Sequence, residues 1–302
     1  MNMMLRSMVK LASSALRQST LAGGVVAGLV VAAGLPGAAL AEPPNAIPPL
    51  ASAEFGWQSN VSDWQEPPAG PGHGPIKPDP DHPYTSNAEA ARTGKPPTKR
   101  IGNYKDPVLK PWAAAQMKAS NDEALSNEMK IPFAAQARCY PGGVPGQLLF
   151  PFEPMYIIQT PKIVYMMWQR DQWVRRIFLT DKHSEVVKPS WFGESIGRYE
   201  NGDTLVIDTI GLQTKNAYVD NFRTPFTEKL HVVERLTLEP DGKFLTGIVT
   251  VTDPDTFNAP LTMKQRWFKA EQSMLETICA ENNKDYFNQR LFSLPEAKKA
   301  DF

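Results

Sequence analysis

The residues best placed to do chemistry are charges set singly into apolar strand patterns. In an extended strand, side chains at i and i+2 share a face. Glu234 lies between Val232 and Leu236, Glu276 between Met274 and Ile278, and Arg176 between Val174 and Phe178. If those faces point inward, each charge must be paired or must line a wet cavity, because burying a lone charge is costly. A carboxylate held between apolar walls is suited to general acid–base work. The pattern predicts Glu234 and Glu276 as catalytic residues on one interior cavity, with His231 or Arg176 at its rim. Arg176, Trp168, Tyr165 and Phe178 would then bind a lipophilic or aromatic small molecule. The competing reading is a structural ion pair or an outward face for each charge, and plain core for the aromatics. Arg176 is the weakest member, because Arg175, Ile177 and Leu179 form a similar alternating set.

Gly193-Glu194-Ser195-Ile196-Gly197 has the letters of a nucleophile elbow. That motif needs a strand before it and a helix after it. Here Lys188-Pro189-Ser190-Trp191 precedes it, and a hairpin signal at Asn201-Gly202 follows. Ser195 is therefore expected at the start of a strand, with glycines present for backbone reasons. His231 falls opposite Glu234 on a regular strand, so a His-x-x-Glu pair would need a bulge. His183, in a polar loop, is expected to be solvated, as are His73 and His82 among Gly and Pro. Asp203, Asp208 and Asp253 read as turn or strand-end residues that bond to backbone. No Gly-rich phosphate loop precedes a helix and no dinucleotide fingerprint is present, so chemistry without a cofactor is expected. No metal site is expected either, since neither cysteine has a histidine near it.

The elements that must position these residues are mostly strands. Tyr156–Gln159, Ile163–Trp168, Trp173–Leu179, Ser195–Glu200, Thr204–Thr209, His231–Leu238, Phe244–Thr252, Leu261–Phe268 and Met274–Cys279 are β-rich runs. Several are joined by tight turns such as Asn201-Gly202 and Glu239-Pro240-Asp241-Gly242. Sequential hairpins make an antiparallel meander, which closes or curls to hide its edges. The expected fold is mainly β: a lipocalin-like barrel over 151–282, with a β-sandwich as the alternative. A helix from about Pro111 to Met129 is expected within a helix-and-loop region, 106–150. A second helix near Asn283–Phe292 would bury Tyr286, Phe287 and Leu291 within a final segment, 283–302. Residues 43–111 hold 15 of the 28 prolines, so 42–105 is expected to be an extended arm with few regular elements.

The first 41 residues carry Arg6, Lys10 and Arg17, an apolar run from Leu21 to Leu35, and Ala39-Leu40-Ala41. This is the pattern of a secretory signal peptide cleaved after Ala41, and it implies a periplasmic or secreted protein without a transmembrane anchor. Its removal leaves 29 basic and 32 acidic residues, a net charge of −3. With no basic stripe, nucleic acid is not an expected partner. Composition does not speak to oligomeric state. In an oxidising compartment the two cysteines, Cys139 and Cys279, are expected to form one disulfide; two separate thiols are the alternative.

Trp191-Phe-Gly-Glu-Ser-Ile-Gly-Arg-Tyr-Glu-Asn-Gly-Asp-Thr-Leu-Val-Ile-Asp-Thr209 resembles the signature of a large family of exported bacterial proteins with no established activity. The likeness extends to Arg138–Pro145, Leu230–Arg235, Asp253-Pro254 and Glu276–Asn282. This chain has Arg198 and Ala280 where members often carry histidine. Three functions remain open. One is a cofactor-independent lyase, isomerase or dehydratase acting on a lipophilic or aromatic compound. Another is a non-catalytic lipocalin-like carrier. The third is an envelope protein that uses its Pro-rich arm as a contact.

Overall fold

A computed structural model describes residues 46–51, 54–126, 139–150, 154–271 and 274–279. The expected signal peptide and the expected helix at 283–292 lie outside them. Nine strands close into a barrel in sequence order. They are β1 (Gly56–Gln58), β2 (Met155–Gln159), β3 (Ile163–Trp168), β4 (Val174–Phe178), β5 (Glu194–Glu200), β6 (Thr204–Ile210), β7 (His231–Leu238), β8 (Phe244–Thr252) and β9 (Leu261–Ala270). Two helices accompany them among the described residues, α1 (Asn87–Thr93) and α2 (Pro111–Leu125). The mainly β, lipocalin-like barrel expected from the sequence is the fold observed.

Alternation explains why these runs become barrel staves. β8 reads half-buried and buried by turns from Phe244 onward, and β3 does the same from Ile163. Met166, Ile177, Ile207, Leu236, Val249 and Met263 fill the interior, each fully or almost fully buried. Burial of each such side chain contributes about 1.5–3 kcal/mol. α2 adds Ala113, Met117, Asn121 and Ala124 on one buried stripe. Its first residue is Pro111, whose missing N–H costs nothing there. The Asn121 amide donates to the Gly102 carbonyl at 2.8 Å, and its oxygen accepts from the Gly102 N–H at 3.3 Å.

Three features depart from the sequence expectation. First, the meander is not wholly antiparallel: β4 and β5 pair in parallel, Ile177 with Ser195 and Phe178 with Ile196. A parallel connection must return along the sheet, and residues 179–193 do so. Second, Met274–Cys279 is not a strand. Thr277 makes a single parallel bridge to Arg170. The segment is held instead by the β3–β4 turn: Leu275 N–H donates to Gln169 Oε1, Cys279 N–H to Asp171 Oδ1, and Asp171 N–H to the Thr277 carbonyl. The Cys139–Cys279 disulfide is formed, with a Cα–Cα separation of 5.5 Å.

Third, the stave beside β9 comes from the Pro-rich arm. Trp57 in β1 pairs with Lys269 on one side and Met155 on the other. Its indole is 1% exposed and donates from Nε1 to the Leu50 carbonyl at 3.0 Å. The arm does have few regular elements, but it is part of the barrel. Gln65 and His73 bridge to β9, and Trp64 donates to the Val219 carbonyl. Among the described residues no helix is long and apolar enough to cross a membrane.

Candidate acid–base site

Glu234 faces inward, as alternation predicts, and is met there by an arginine. It is fully buried and paired with Arg175, which is 1% exposed. Arg175 Nη1 donates to Glu234 Oε1 at 2.9 Å, and Nη2 donates to Oε2. Nη2 also donates to Thr209 Oγ1 at 2.8 Å, and Nε to Ser195 Oγ at 3.1 Å. The two hydroxyls are 2.9 Å apart. A guanidinium and a carboxylate that satisfy each other this fully form a structural pin, not a reactive pair. The expected catalytic role of Glu234 is corrected accordingly.

The partner is one residue away from the expected one. Registration with β3 sets Arg175 against Met166 and Ile177 against Val164, all inward. Arg176 is therefore exposed, paired across the outer face with half-buried Tyr165. Phe178 shares that outer face, whereas Trp168 is inward, 2% exposed and stacked on Phe192 at 5.9 Å. Glu276 lies off the sheet and is exposed. The expected cavity set of Glu234, Glu276, Arg176, Tyr165, Phe178 and Trp168 is thus not brought together. Ser195 is 1% exposed inside β5. Gly193 has φ +60°, and a Cβ on Gly197 would lie 2.6 Å from Ile177 Cγ2. Both glycines of the elbow-like motif therefore serve the backbone, as expected.

A second cluster sits on the outer wall. Asp208 projects outward from β6 between two imidazoles. His183 Nε2 is 2.8 Å from Asp208 Oδ1, and His231 Nε2 is 2.9 Å from the same oxygen. His183 Nδ1 lies 3.1 Å from Glu194 Oε1. Strand registration places the backbone: Ile210 pairs with Glu194, and Thr209 with Val232 next to His231. The return segment 179–193 brings His183 onto this face. Ser184 anchors it, its N–H donating to Glu194 Oε1 at 2.7 Å and its hydroxyl to Oε2 at 2.6 Å.

His183 turns one ring nitrogen to each of two carboxylates and so bridges Glu194 and Asp208. His231 donates its Nε2 proton to Asp208, which fixes its tautomer. Its Nδ1 then carries a lone pair, and this half-open side chain, 42% exposed, has no other hydrogen bond among the described residues. Burial pushes the Asp208 carboxyl up, but the bonds from His183 and His231 outweigh it and hold it below its ordinary value. Hydrogen bonding from Ser184 holds Glu194 below its ordinary value, with His183 adding to it. Each imidazole nitrogen engaged here faces a carboxylate oxygen. Among the described residues no three His, Cys, Asp or Glu side chains converge as metal ligands.

A groove of about 350 Å³ opens between α2 and the segment joining β6 to β7, lined by Trp112, Gln116, Ala217, Pro225, Phe226 and Glu228 among others. That segment runs from the strand of Asp208 to His231. Thr227, also on the groove, accepts from Leu230 N–H at 3.0 Å. The turn keeps the Cα of Thr227 within roughly 11 Å of the Cα of His231.

No family model matches the chain, and no curated protein does. The site therefore stands on its geometry. Of the residues singled out in the sequence, His231 is the one found in an acid–base arrangement. Asp208 meets the same alternation test as Glu234, flanked by Val206 and Ile210, and reading it as a strand-end residue hides it. His183 carries no such signal, because its place depends on the path of 179–193.

Proposed function

We propose that the protein is an exported enzyme that moves protons without a cofactor, with His231 as general acid–base. Its reaction would be of lyase, isomerase or dehydratase type, on a lipophilic or aromatic small molecule. The observation that carries the reading is the pair formed by His231 Nε2 and Asp208 Oδ1 at 2.9 Å, with Nδ1 left open. An imidazole oriented by a carboxylate through one nitrogen and open at the other is the working arrangement of a general base. His183 holds Asp208 from the far side, so the carboxylate cannot swing away. The groove lined by Trp112 and by Pro225 and Phe226, of the segment that leads to His231, offers such a compound a place to bind. Export is supported by the leader-like 1–41 segment and by a disulfide that suits an oxidising compartment.

The test is untargeted conversion. Mature protein is incubated with a fractionated extract of small lipophilic compounds, and products are followed by mass spectrometry. Wild-type protein should convert a compound that His231→Asn and Asp208→Asn leave unchanged, a loss of at least about 100-fold. A compound retained but never converted, bound equally by wild type and His231→Asn, would support the carrier reading instead.

A further inference from the structure

The outer wall has two characters. Around β5, β6, β7 and β9 it is charged, carrying Glu194, Arg198, Asp208, His231, Arg235 and Arg266. Over β2, β3 and β4 it is apolar. Registration sets Tyr156, Met167 and Val174 in one row and Ile163 with Phe178 in another. Between them runs a row of Ile158, Tyr165 and Arg176, with Arg176, its one charge, at the β4 end. Ile158 is 47% exposed and Val174 43%. Leu275, 56% exposed, adjoins the same end, bonded through its N–H to Gln169. Tyr156 is buried and Ile163, Tyr165, Met167 and Phe178 are half-buried, so the apolar exposure of this face comes from Ile158, Val174 and Leu275; apolar exposure gathered on one face of a barrel marks a contact surface.

We propose that this face is the docking surface for the chain's own segment 280–302. The segment starts at the right place. Cys279 is fixed to the β3–β4 turn by its N–H bond to Asp171 Oδ1, and the disulfide ties it separately to Cys139. That turn directly precedes Val174, so the following residues enter at the edge of the patch. The segment also has the right composition. As a helix, 283–292 would place Tyr286, Phe287 and Leu291 along one side. Ten helical residues span about 15 Å, and β2 to β4 spans about 10 Å, so one helix covers the three strands. A second copy of the chain is the competing occupant, and the length and anchoring of 280–302 favour the intramolecular one.

Hydrogen exchange read by mass spectrometry tests this on the full mature chain, beside a variant carrying Ile158→Glu and Val174→Glu. Both substitutions are at exposed positions. Amides of 283–292 should exchange at least about tenfold more slowly in wild type than in the variant, with both proteins monomeric by sedimentation. Exchange at the unprotected rate in wild type overturns the proposal, as does protection that survives in the variant. A wild-type dimer that the variant dissociates also overturns it and assigns the face to a second copy. Should the double variant not fold, Phe287→Ser with Leu291→Ser, outside the barrel strands, is the substitute. It should bare the patch and raise binding of an apolar fluorescent dye; unchanged dye binding overturns the proposal. The result is independent of any catalytic activity.

Discussion

Replacing Glu234 with glutamine swaps one carboxylate oxygen for an NH₂ group in the middle of the barrel and should be costly. Glutamine keeps one oxygen for Arg175 Nη1, but it turns the second acceptor into an NH₂ group facing Nη2. The guanidinium, 1% exposed, then keeps its charge with no carboxylate and faces a donor where it had an acceptor. Removing one partner of a buried pair costs about 3–5 kcal/mol. That is a large share of the roughly 5–15 kcal/mol that holds a domain folded. At about 2–4 °C per kcal/mol for a chain of this size, the melting temperature should fall by roughly 10 °C. Differential scanning calorimetry and urea titration, both with the disulfide intact, give the measurement. The control is Arg175→Met with Glu234→Leu, which removes both charges and keeps the volume. It should lie within about 2 kcal/mol of wild type, because apolar replacement of a buried pair is often neutral or better. If Glu234→Gln melts like wild type, or the double variant loses the sum of the two single losses, the pair does not act as a pin.

Four further outcomes are expected. Ser195→Ala should leave any activity within a few fold but destabilise by about 1–2 kcal/mol, since Arg175 Nε loses its acceptor; a nucleophile-scale loss of activity would refute the strand reading. Reducing Cys139–Cys279, which are 140 residues apart, should lower stability by about 5 kcal/mol in the loop-entropy account; calorimetry with and without reductant measures it, and an unchanged melting temperature would count against a bond in solution. Glu239 is lowered from 4.5 to about 2 by hydrogen bonding from Arg266. Its clamp should stabilise fully above about pH 4.5 and fade as pH falls towards 2, so the melting gap between wild type and Glu239→Gln should narrow over that range. Asp208 and Glu194 are also held low, so their bonds to His183, His231 and Ser184 should weaken only in acid, below the ordinary carboxylate range. Side-chain carboxyl NMR signals of Asp208 and Glu194 should hold their ionised positions through the ordinary carboxylate range and shift only below it; a shift at ordinary carboxylate pH would count against these bonds.

Local pattern made most of the barrel readable. β2 to β9 fall within two residues of runs picked out by alternation and turn residues, because both signals are local. β1 was not readable: Gly-Trp-Gln in a Pro-rich stretch becomes a strand only because Trp57 finds a slot between β2 and β9. Met274–Cys279 alternates as well as a strand does, but its backbone is claimed by Gln169 and Asp171. The parallel β4–β5 pair was hidden because 179–193 returns without a helix to announce it. In the interior, burial of Glu234 was readable and its partner was not. Both parities of β4 are apolar enough, and only registration with β3 chooses Arg175 over Arg176. The outer cluster combines His231, singled out in the sequence, and Asp208, which alternation could have flagged, with His183, which only the tertiary path brings near.

The stave contributed by Gly56–Gln58 sets an order on how the molecule can be made. Gly56 pairs with Ala270, so a chain that emerges N-terminus first exposes one side of the barrel's seam more than 200 residues before the other. Until β9 arrives, the growing sheet has two open edges with unpaired N–H and C=O groups, the feature that invites wrong partners. Contacts of such long sequence separation also form slowly. Barrel closure is therefore a late event. A chain stalled or cut before Leu261 lacks β9 altogether and should be a substrate for holdase chaperones and proteases, even with seven of its staves, β2 to β8, already made.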